Sequence, residues 1–164
     1  MTEDRGFDYA AYVISLEAFR IAPWPLPDAS VRLAAWRWPP LRPYNGFSGE
    51  RRVRIWQLQV WAQDAGALAR PTCCSVCDSG SHVGMHCESY ADPWNPIPLC
   101  QACHLEVHRR FGAPLAWSRF KARHHRLGKS QWFDLLPARP IDLARWLKPD
   151  RGWDGEELLA HQRP

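Results

Sequence analysis

The apolar positions of the N-terminal part predict two helices. In residues 8–21 they recur near the helical period, and Asp8 is a suitable N-cap. A second helix is predicted over residues 49–65, after the candidate N-cap Ser48. Its expected buried face carries Val53, Trp56 and Val60, widened by Ile55, Leu58 and Trp61. Gly66 follows as the expected C-terminal stop.

Between these helices, residues 22–47 hold six prolines and three tryptophans. The prolines break long helices, although a short helix over 29–36 fits between them. We favour an extended arm that lies over the core and is anchored by its Trp rings. The alternative is a Pro/Trp surface for a protein partner.

The C-terminal part predicts shorter elements. Pro114 suits the first turn of a helix that runs to Leu127 and is closed by Gly128. A short helix is expected within residues 140–149, and residues 150–164 are expected to be poorly ordered.

Composition narrows the class of protein. The 164 residues are 46% hydrophobic and 23% charged, which is ordinary for one globular domain with a small appendage. No apolar run reaches the length of a membrane span, and the N-terminus has no apolar signal region. We therefore expect a cytoplasmic location.

The positive charge is concentrated in one segment. Residues 104–130 contain seven basic residues against one acid, a net +6, whereas the whole chain carries +4. Such an excess favours contact with phosphates of a nucleic acid. The candidate nucleic-acid-binding residues are Arg109, Arg110, Arg119, Lys121, Arg123 and Arg126. Trp117 and Phe120 are expected to pack in the core, with stacking on unpaired bases as the alternative.

The six cysteines point to a metal rather than to disulfides, because no secretory signal is evident. Cys74 and Cys77 form one Cys-x2-Cys pair, and Cys100 and Cys103 form a second one 22 residues later. Two such pairs predict a closed, structural zinc site with four thiolate ligands. Cys73 is an alternative ligand to Cys74.

Three histidines predict a second metal site. His104 and His108 share one helix face if a helix begins at the second cysteine pair. His86 lies on a predicted strand of the hairpin between the pairs. Together they can hold a divalent cation (Mg²⁺, Mn²⁺, Ni²⁺ or Zn²⁺) with open positions, which can polarise a phosphodiester.

The order of these residues resembles a known family. Residues 73–111 contain Cys-x2-Cys, a hairpin His, an Asn and Cys-x2-Cys-His-x3-His, and so resemble the zinc-ribbon branch of the His-Asn-His (HNH) endonucleases. The resemblance implies a ββα-metal fold with a structural zinc. It also implies that His86, His104 and His108 bind the catalytic ion. Asn95 would brace the loop, or would simply be a turn residue before Pro96.

One position departs from the family pattern. The general base of the family follows the first metal-binding residue, and Cys87 stands there. A thiol with a pKa of about 8.5 is a poor base toward water at neutral pH. Three alternatives stay open: His86 is the base, Glu88 is the base, or hydrolysis is impaired and the protein only binds nucleic acid.

These observations predict an α+β fold with a small ββα-metal zinc-ribbon core, made of a short antiparallel hairpin plus a helix, and flanking N- and C-terminal helices. Residues 1–70 form the N-terminal helical and Pro/Trp-rich extension, 71–130 the zinc-binding core with the basic helix, and 131–164 the C-terminal helix and tail. The expected function is metal-dependent cleavage of DNA. The alternatives are a non-catalytic nucleic-acid-binding zinc protein and a protein–protein adaptor that uses residues 22–47.

Overall fold

The computed structural model describes residues 27–28, 30–91, 96–125 and 131–146. Within them the elements are α1 (Gly49–Asp64), β1 (Val83–His86), β2 (Ile97–Cys100), α2 (Gln101–Arg109), α3 (Pro114–His124), a 3₁₀ turn (Trp132–Leu135) and α4 (Leu143–Trp146). Helices and one antiparallel hairpin confirm the α+β class. The helix expected over 8–21 and the tail 150–164 lie outside the described residues. The helix expected to run to Leu127 ends instead at His124, because His125 takes an extended conformation.

The described residues belong to two compact units, each built from separate chain segments. The hairpin unit contains residues 71–86, 97–125 and 131–140; the α1 unit contains residues 27–28, 30–70, 87–91, 96 and 141–146. The three-segment division at 70 and 130 stays a prediction. None of the helices in the described ranges is both long and apolar enough to span a bilayer.

In the hairpin unit, β1 and β2 pair antiparallel, with Val83 opposite Cys100 and His86 opposite Ile97. Pro98 is tolerated in β2 because both strands of a two-stranded sheet have an open edge. The helix α2 follows β2 without a linker. The core of this unit contains Val76, Ile97, Leu99, Val107, Trp117, Phe120, Phe133 and Leu136.

The helix α1 begins and ends where the sequence predicts. The Ser48 hydroxyl accepts a hydrogen bond from the Arg51 N–H, and Gly66 takes a φ of +72° just after the helix. The buried face differs from the expected one, because it consists of Ile55, Leu58, Gln59 and Ala62. The buried Gln59 amide donates a hydrogen bond to the Cys87 sulfur at 3.1 Å, and Trp56 is half-buried.

A polar cluster lies at the centre of the α1 unit. Tyr44 and Phe47 bracket a tight turn whose central residues, Asn45 and Gly46, have φ values of 48° and 82°. Asn-Gly is the preferred pair for such a turn. The Tyr44 hydroxyl and the Asn45 amide donate to the two carboxylate oxygens of the fully buried Glu88, at 2.7 and 2.8 Å. These bonds offset the cost of burying a carboxylate.

The short helix expected over 29–36 is wrong for residues 30–36, which are irregular. So short a helix is marginal on its own, and Pro39 and Pro40 prevent its extension. The Ala34 carbonyl instead accepts a hydrogen bond from the Gln57 side chain at 2.7 Å. The arm is thereby held to α1 by a side chain.

Gly46 provides a test of the tight turn. We expect Gly46→Ala to destabilise the fold by about 1–3 kcal/mol, because a side chain at positive φ is strained. An added Cβ would also collide with the Asp142 carboxylate. Urea unfolding measures the effect. Gly84→Ala is the matched control, since nothing lies within 4 Å of its added Cβ. Equal stability of the two variants would contradict the assigned turn.

Candidate metal centres

Two short backbone motifs bring the four cysteines of the hairpin unit together. The first pair lies in a turn closed by a hydrogen bond from the Asp78 N–H to the Cys74 carbonyl. Asp78 takes a φ of 59°, a conformation that Asp tolerates better than most residues. In the second pair, Cys100 is the N-cap of α2 and Cys103 lies in its first turn.

The four sulfurs are positioned to bind a metal ion. All four Sγ atoms lie within 4.8 Å of one another, and those of Cys77 and Cys100 are 3.6 Å apart. A tetrahedral ion with metal–sulfur bonds of about 2.3 Å needs edges of about 3.8 Å. Cys73 is exposed and lies outside this group, so the structure selects Cys74.

The protonation of the thiols agrees with such a site. Burial raises the pKa of Cys74, but backbone N–H groups outweigh it and lower this pKa to about 7. Those N–H groups belong to Cys100, Cys77 and Val76. Burial raises the pKa of Cys77 and Cys103, and the thiols of Cys100 and Cys74 raise both further. Thiolate stabilisation by peptide N–H groups suits a tetrathiolate metal site, and a bound cation would displace the remaining protons.

The three histidines converge in the same unit. One ring nitrogen from each of His86, His104 and His108 lies within 4.8 Å of the others, and the Nε2 atoms of His104 and His108 are 3.0 Å apart. The arrangement follows from the hairpin and the helix that returns along it. On β1, His86 lies three residues, or about 10 Å, after Val83, which is opposite Cys100. His104 and His108 are about 6 and 12 Å along α2 from the same point.

These histidines fit a divalent metal. With metal–nitrogen bonds of about 2.0–2.1 Å, two adjacent ligands of one ion lie about 3 Å apart or slightly more. The 3.0 Å separation of the two Nε2 atoms agrees with this value. Imidazole is a common ligand of zinc, nickel and other first-row ions. The convergence of His86, His104 and His108 agrees with the prediction from the sequence.

Trp132 is a neighbour of both groups that the sequence did not reveal. Its ring centroid lies 6.5 Å from that of His86, and its indole N–H donates to the Ser75 hydroxyl at 3.2 Å. Ser75 lies between Cys74 and Cys77. Trp132 follows the second cysteine pair by almost thirty residues, and no local motif points from it to the site.

The two residues after His86 are engaged in the α1 unit. The Cys87 sulfur accepts a hydrogen bond from Gln59, and the Glu88 carboxylate belongs to the cluster with Tyr44 and Asn45. The Glu88 carboxylate thus contributes to the packing of the α1 unit, and its role as a general base stays a prediction. Asn95 lies outside the described residues.

The basic residues divide into two kinds. Arg110 is fully buried, and its Nε and Nη1 donate to the carbonyls of Pro137 and Val107 at 2.9 and 2.8 Å. Its expected role in phosphate binding is therefore corrected to a structural one. The exposed basic residues are Arg109, Arg119 and Arg123, and Lys121 is half-buried. Arg126 lies outside the described residues.

The rings of α3 are packed as expected. Trp117 and Phe120 are buried and stack on each other with centroids 5.1 Å apart. Burial excludes the alternative in which they stack on nucleic-acid bases. Their role is to hold α3 in the hairpin unit, with its exposed arginines facing solvent.

No protein-family model, curated protein or solved structure matches this chain. The chemistry of the protein is therefore inferred from the geometry of its own residues. The strongest geometric features are the four converging sulfurs and the three converging histidines.

The four-cysteine site predicts a tightly held metal ion. We expect Cys103→Ser to lose that ion and to lower the melting temperature, because metal binding to a closed site adds to the free energy of unfolding. Elemental analysis of the purified protein and thermal unfolding measure the two effects. Cys73→Ser is the control and should keep both the metal and the melting temperature. Loss of the metal in Cys73→Ser alone would contradict the assigned ligands.

Proposed function

We propose that the protein is a metal-dependent endonuclease that hydrolyses phosphodiester bonds of DNA on a zinc-ribbon ββα-metal core of the HNH type. The observation that carries the proposal is the convergence of His86 from β1 with His104 and His108 from α2, beside a four-cysteine group. This pairing of a closed sulfur site with a nitrogen site is what the resemblance in residues 73–111 implies.

The four-cysteine site would hold zinc in a structural role. Four sulfur ligands suit a tetrahedral Zn²⁺ and leave no open coordination position. The ion would fix the turn that contains Ser75 against the start of α2. The orientation of α2 in turn determines where His104 and His108 lie.

The histidine site would do the chemistry. A divalent ion held there would polarise the scissile phosphate and stabilise the charge of the transition state. His104 and His108 would bind it from one face of α2, and His86 from the strand. Because His86 is only 1% exposed, its ring is held in place by its surroundings, which include Trp132 at 6.5 Å. Such fixed ligands keep the geometry that hydrolysis requires.

Exposed cations of the same unit would bind the phosphates. Arg109 lies at the end of α2, and Arg119 and Arg123 lie on α3. Within the described ranges, the ion pair formed by these residues is that of Arg109 with Glu106, at 3.9 Å. Contacts of this kind go to the backbone of the nucleic acid and carry little sequence information. The proposed cleavage should therefore show low sequence specificity.

A second candidate function is non-catalytic binding of nucleic acid on the same frame. It is favoured by the burial of Cys87 and Glu88, which accept hydrogen bonds in the α1 unit. To take a proton from water, either side chain would have to give up its hydrogen bond in that unit. In this case the histidine site would hold a metal without supporting hydrolysis.

Plasmid cleavage separates the two functions. With Mg²⁺, Mn²⁺, Ni²⁺ or Zn²⁺ supplied in turn, we expect the wild type to nick or linearise the plasmid with at least one of them. His86→Ala and His104→Ala should each reduce the cleavage rate by about two orders of magnitude or more, because each removes a metal ligand. Loss of a ligand's orientation alone commonly costs about 10–100-fold. His125→Ala, outside the histidine group, is the control and should cleave normally.

DNA binding without cleavage under any of these ions would support the second function. Failure to bind DNA even at low salt would exclude both. Elemental analysis of each variant shows whether the four-cysteine site is still loaded, so that a lost activity is not confused with a lost fold.

The arginines provide a separate prediction. Arg119→Gln and Arg123→Gln should weaken DNA binding and reduce its salt dependence while leaving thermal stability unchanged. Arg110→Gln should destabilise the protein by about 1–3 kcal/mol, because its buried carbonyl partners lose their donor. Binding titrations at several salt concentrations and urea unfolding measure the two effects. A stable Arg110→Gln variant with weakened DNA binding would reverse our assignment.

A further inference from the structure

The α1 unit carries an exposed aromatic surface far from the metal ligands in sequence. Trp36 and Trp38 of the arm meet Trp56 of α1, with ring centroids 4.8, 5.1 and 5.5 Å apart. All three contacts are edge-to-face, with interplanar angles of 60°, 83° and 85°. We call these three residues the tryptophan trio.

One ring of the trio remains largely exposed. Trp38 is 58% exposed, the highest exposure of any described aromatic residue, and Trp36 and Trp56 are half-buried. Full burial of an aromatic ring contributes strongly to the free energy of folding. A Trp that is 58% exposed loses most of that contribution. An exposed ring that is nevertheless held by two others is typical of a surface that binds a partner.

The backbone under the trio is fixed. The Gln57 side chain donates to the Ala34 carbonyl at 2.7 Å, and the Trp36 indole N–H donates to the Pro39 carbonyl at 3.1 Å. Pro39 and Pro40 restrict the chain that follows. A ring that is already ordered loses little conformational entropy when a ligand covers it.

The chain segment that carries the trio is strongly basic. Residues 30–54 contain six arginines against one acid, a net charge of +5, which is close to the +6 of the basic segment 104–130. Arg51 and Arg52 donate to backbone carbonyls of their own unit. Arg32, Arg37 and Arg42 are exposed, and no ion pair holds them within the described part of the chain. Arg37 lies between Trp36 and Trp38 in the sequence.

We propose that the tryptophan trio and its arginines form a binding surface for a single-stranded nucleic acid, with an unpaired base stacked on Trp38 and phosphates on Arg37 and its neighbours. Aromatic rings interleaved with cations are the common solution for single strands, because every base has a π-face and every nucleotide a phosphate. A proline-rich or apolar protein partner would use the rings but would gain nothing from the unpaired arginines. A duplex offers phosphates but keeps its bases stacked inside.

The surface would let the protein discriminate between strand states. Phosphate contacts alone bind single and double strands alike, whereas stacking on Trp38 requires a base that is free of its partner. The inference shares its nucleic-acid partner with the proposed function but needs no cleavage. The binding surface and the proposed nuclease function are therefore tested by different experiments.

The test uses the full chain and a fluorescein-labelled oligothymidylate, with a duplex of equal length as the second probe. Fluorescence anisotropy at low salt measures both affinities without added divalent ions. We expect Trp38→Ala to weaken oligothymidylate binding by about tenfold, the loss of one stacked base, and to leave duplex binding unchanged. Trp38→Phe should retain most of the affinity. Arg37→Gln should lower the salt slope by about 0.7, the value for one phosphate of a single strand.

Two controls keep the result interpretable. Leu115→Ala removes another highly exposed apolar side chain, 76% exposed on α3, and should not affect oligothymidylate binding. His104→Ala tests the histidine site and should leave oligothymidylate binding intact even if it abolishes cleavage. Circular dichroism and thermal unfolding should be unchanged in Trp38→Ala.

Three results would overturn the proposal. The first is a wild type that does not bind oligothymidylate. The second is a Trp38→Ala variant that binds it as tightly as the wild type. The third is an equal loss of affinity for both probes, because that loss would show that Trp38 does not read the unpaired state.

Discussion

The hairpin unit depends on the approach of four sulfur atoms that are far apart in sequence. Cys74 and Cys77 lie in an irregular segment, and Cys100 and Cys103 begin a helix. Apolar burial alone gives so small a unit a limited core. A metal ion joined to all four sulfurs would link the turn to α2 much as a covalent bridge does, while peptide N–H groups already stabilise the Cys74 thiolate. Such a link would also fix the position of α2, and with it of His104 and His108.

The α1 unit is organised by a different interaction. There the buried Glu88 accepts hydrogen bonds from Tyr44 and Asn45, and Gln59 occupies the helix face that a purely apolar pattern would fill. Buried polar groups of this kind specify one arrangement, because a slipped alternative would leave a carboxylate without donors. The same choice turns Trp56 toward Trp36 and Trp38.

Local signals in the sequence predicted much of this. The Ser48 cap, the Gly66 stop, Pro114 at the start of α3 and the Cys-x2-Cys spacing each act within a few residues, and each is observed. The ring nitrogens of the three histidines also come together as expected. The failures concern partners far apart in sequence. Charge and residue type assigned Arg110 to phosphates, but its guanidinium is buried and donates to the Pro137 carbonyl, 27 residues away, which carries no signal in the neighbouring sequence.

The Asn45–Gly46 turn also affects the chemical stability of the protein. Asn is a thermolabile residue because it deamidates. The reaction is easiest before Gly, since the backbone nitrogen of glycine can attack the side-chain amide carbon with little steric hindrance. Here the Asn45 amide nitrogen is buried and donates to both the carboxylate and the backbone carbonyl of Glu88, at 2.8 and 3.0 Å. Conversion to aspartate would replace that donor with a second negative charge beside the first. The hydrogen bonds that Asn45 donates to Glu88 thus also protect the turn from deamidation, and a molecule that did lose this amide would lose a donor at the centre of its α1 unit.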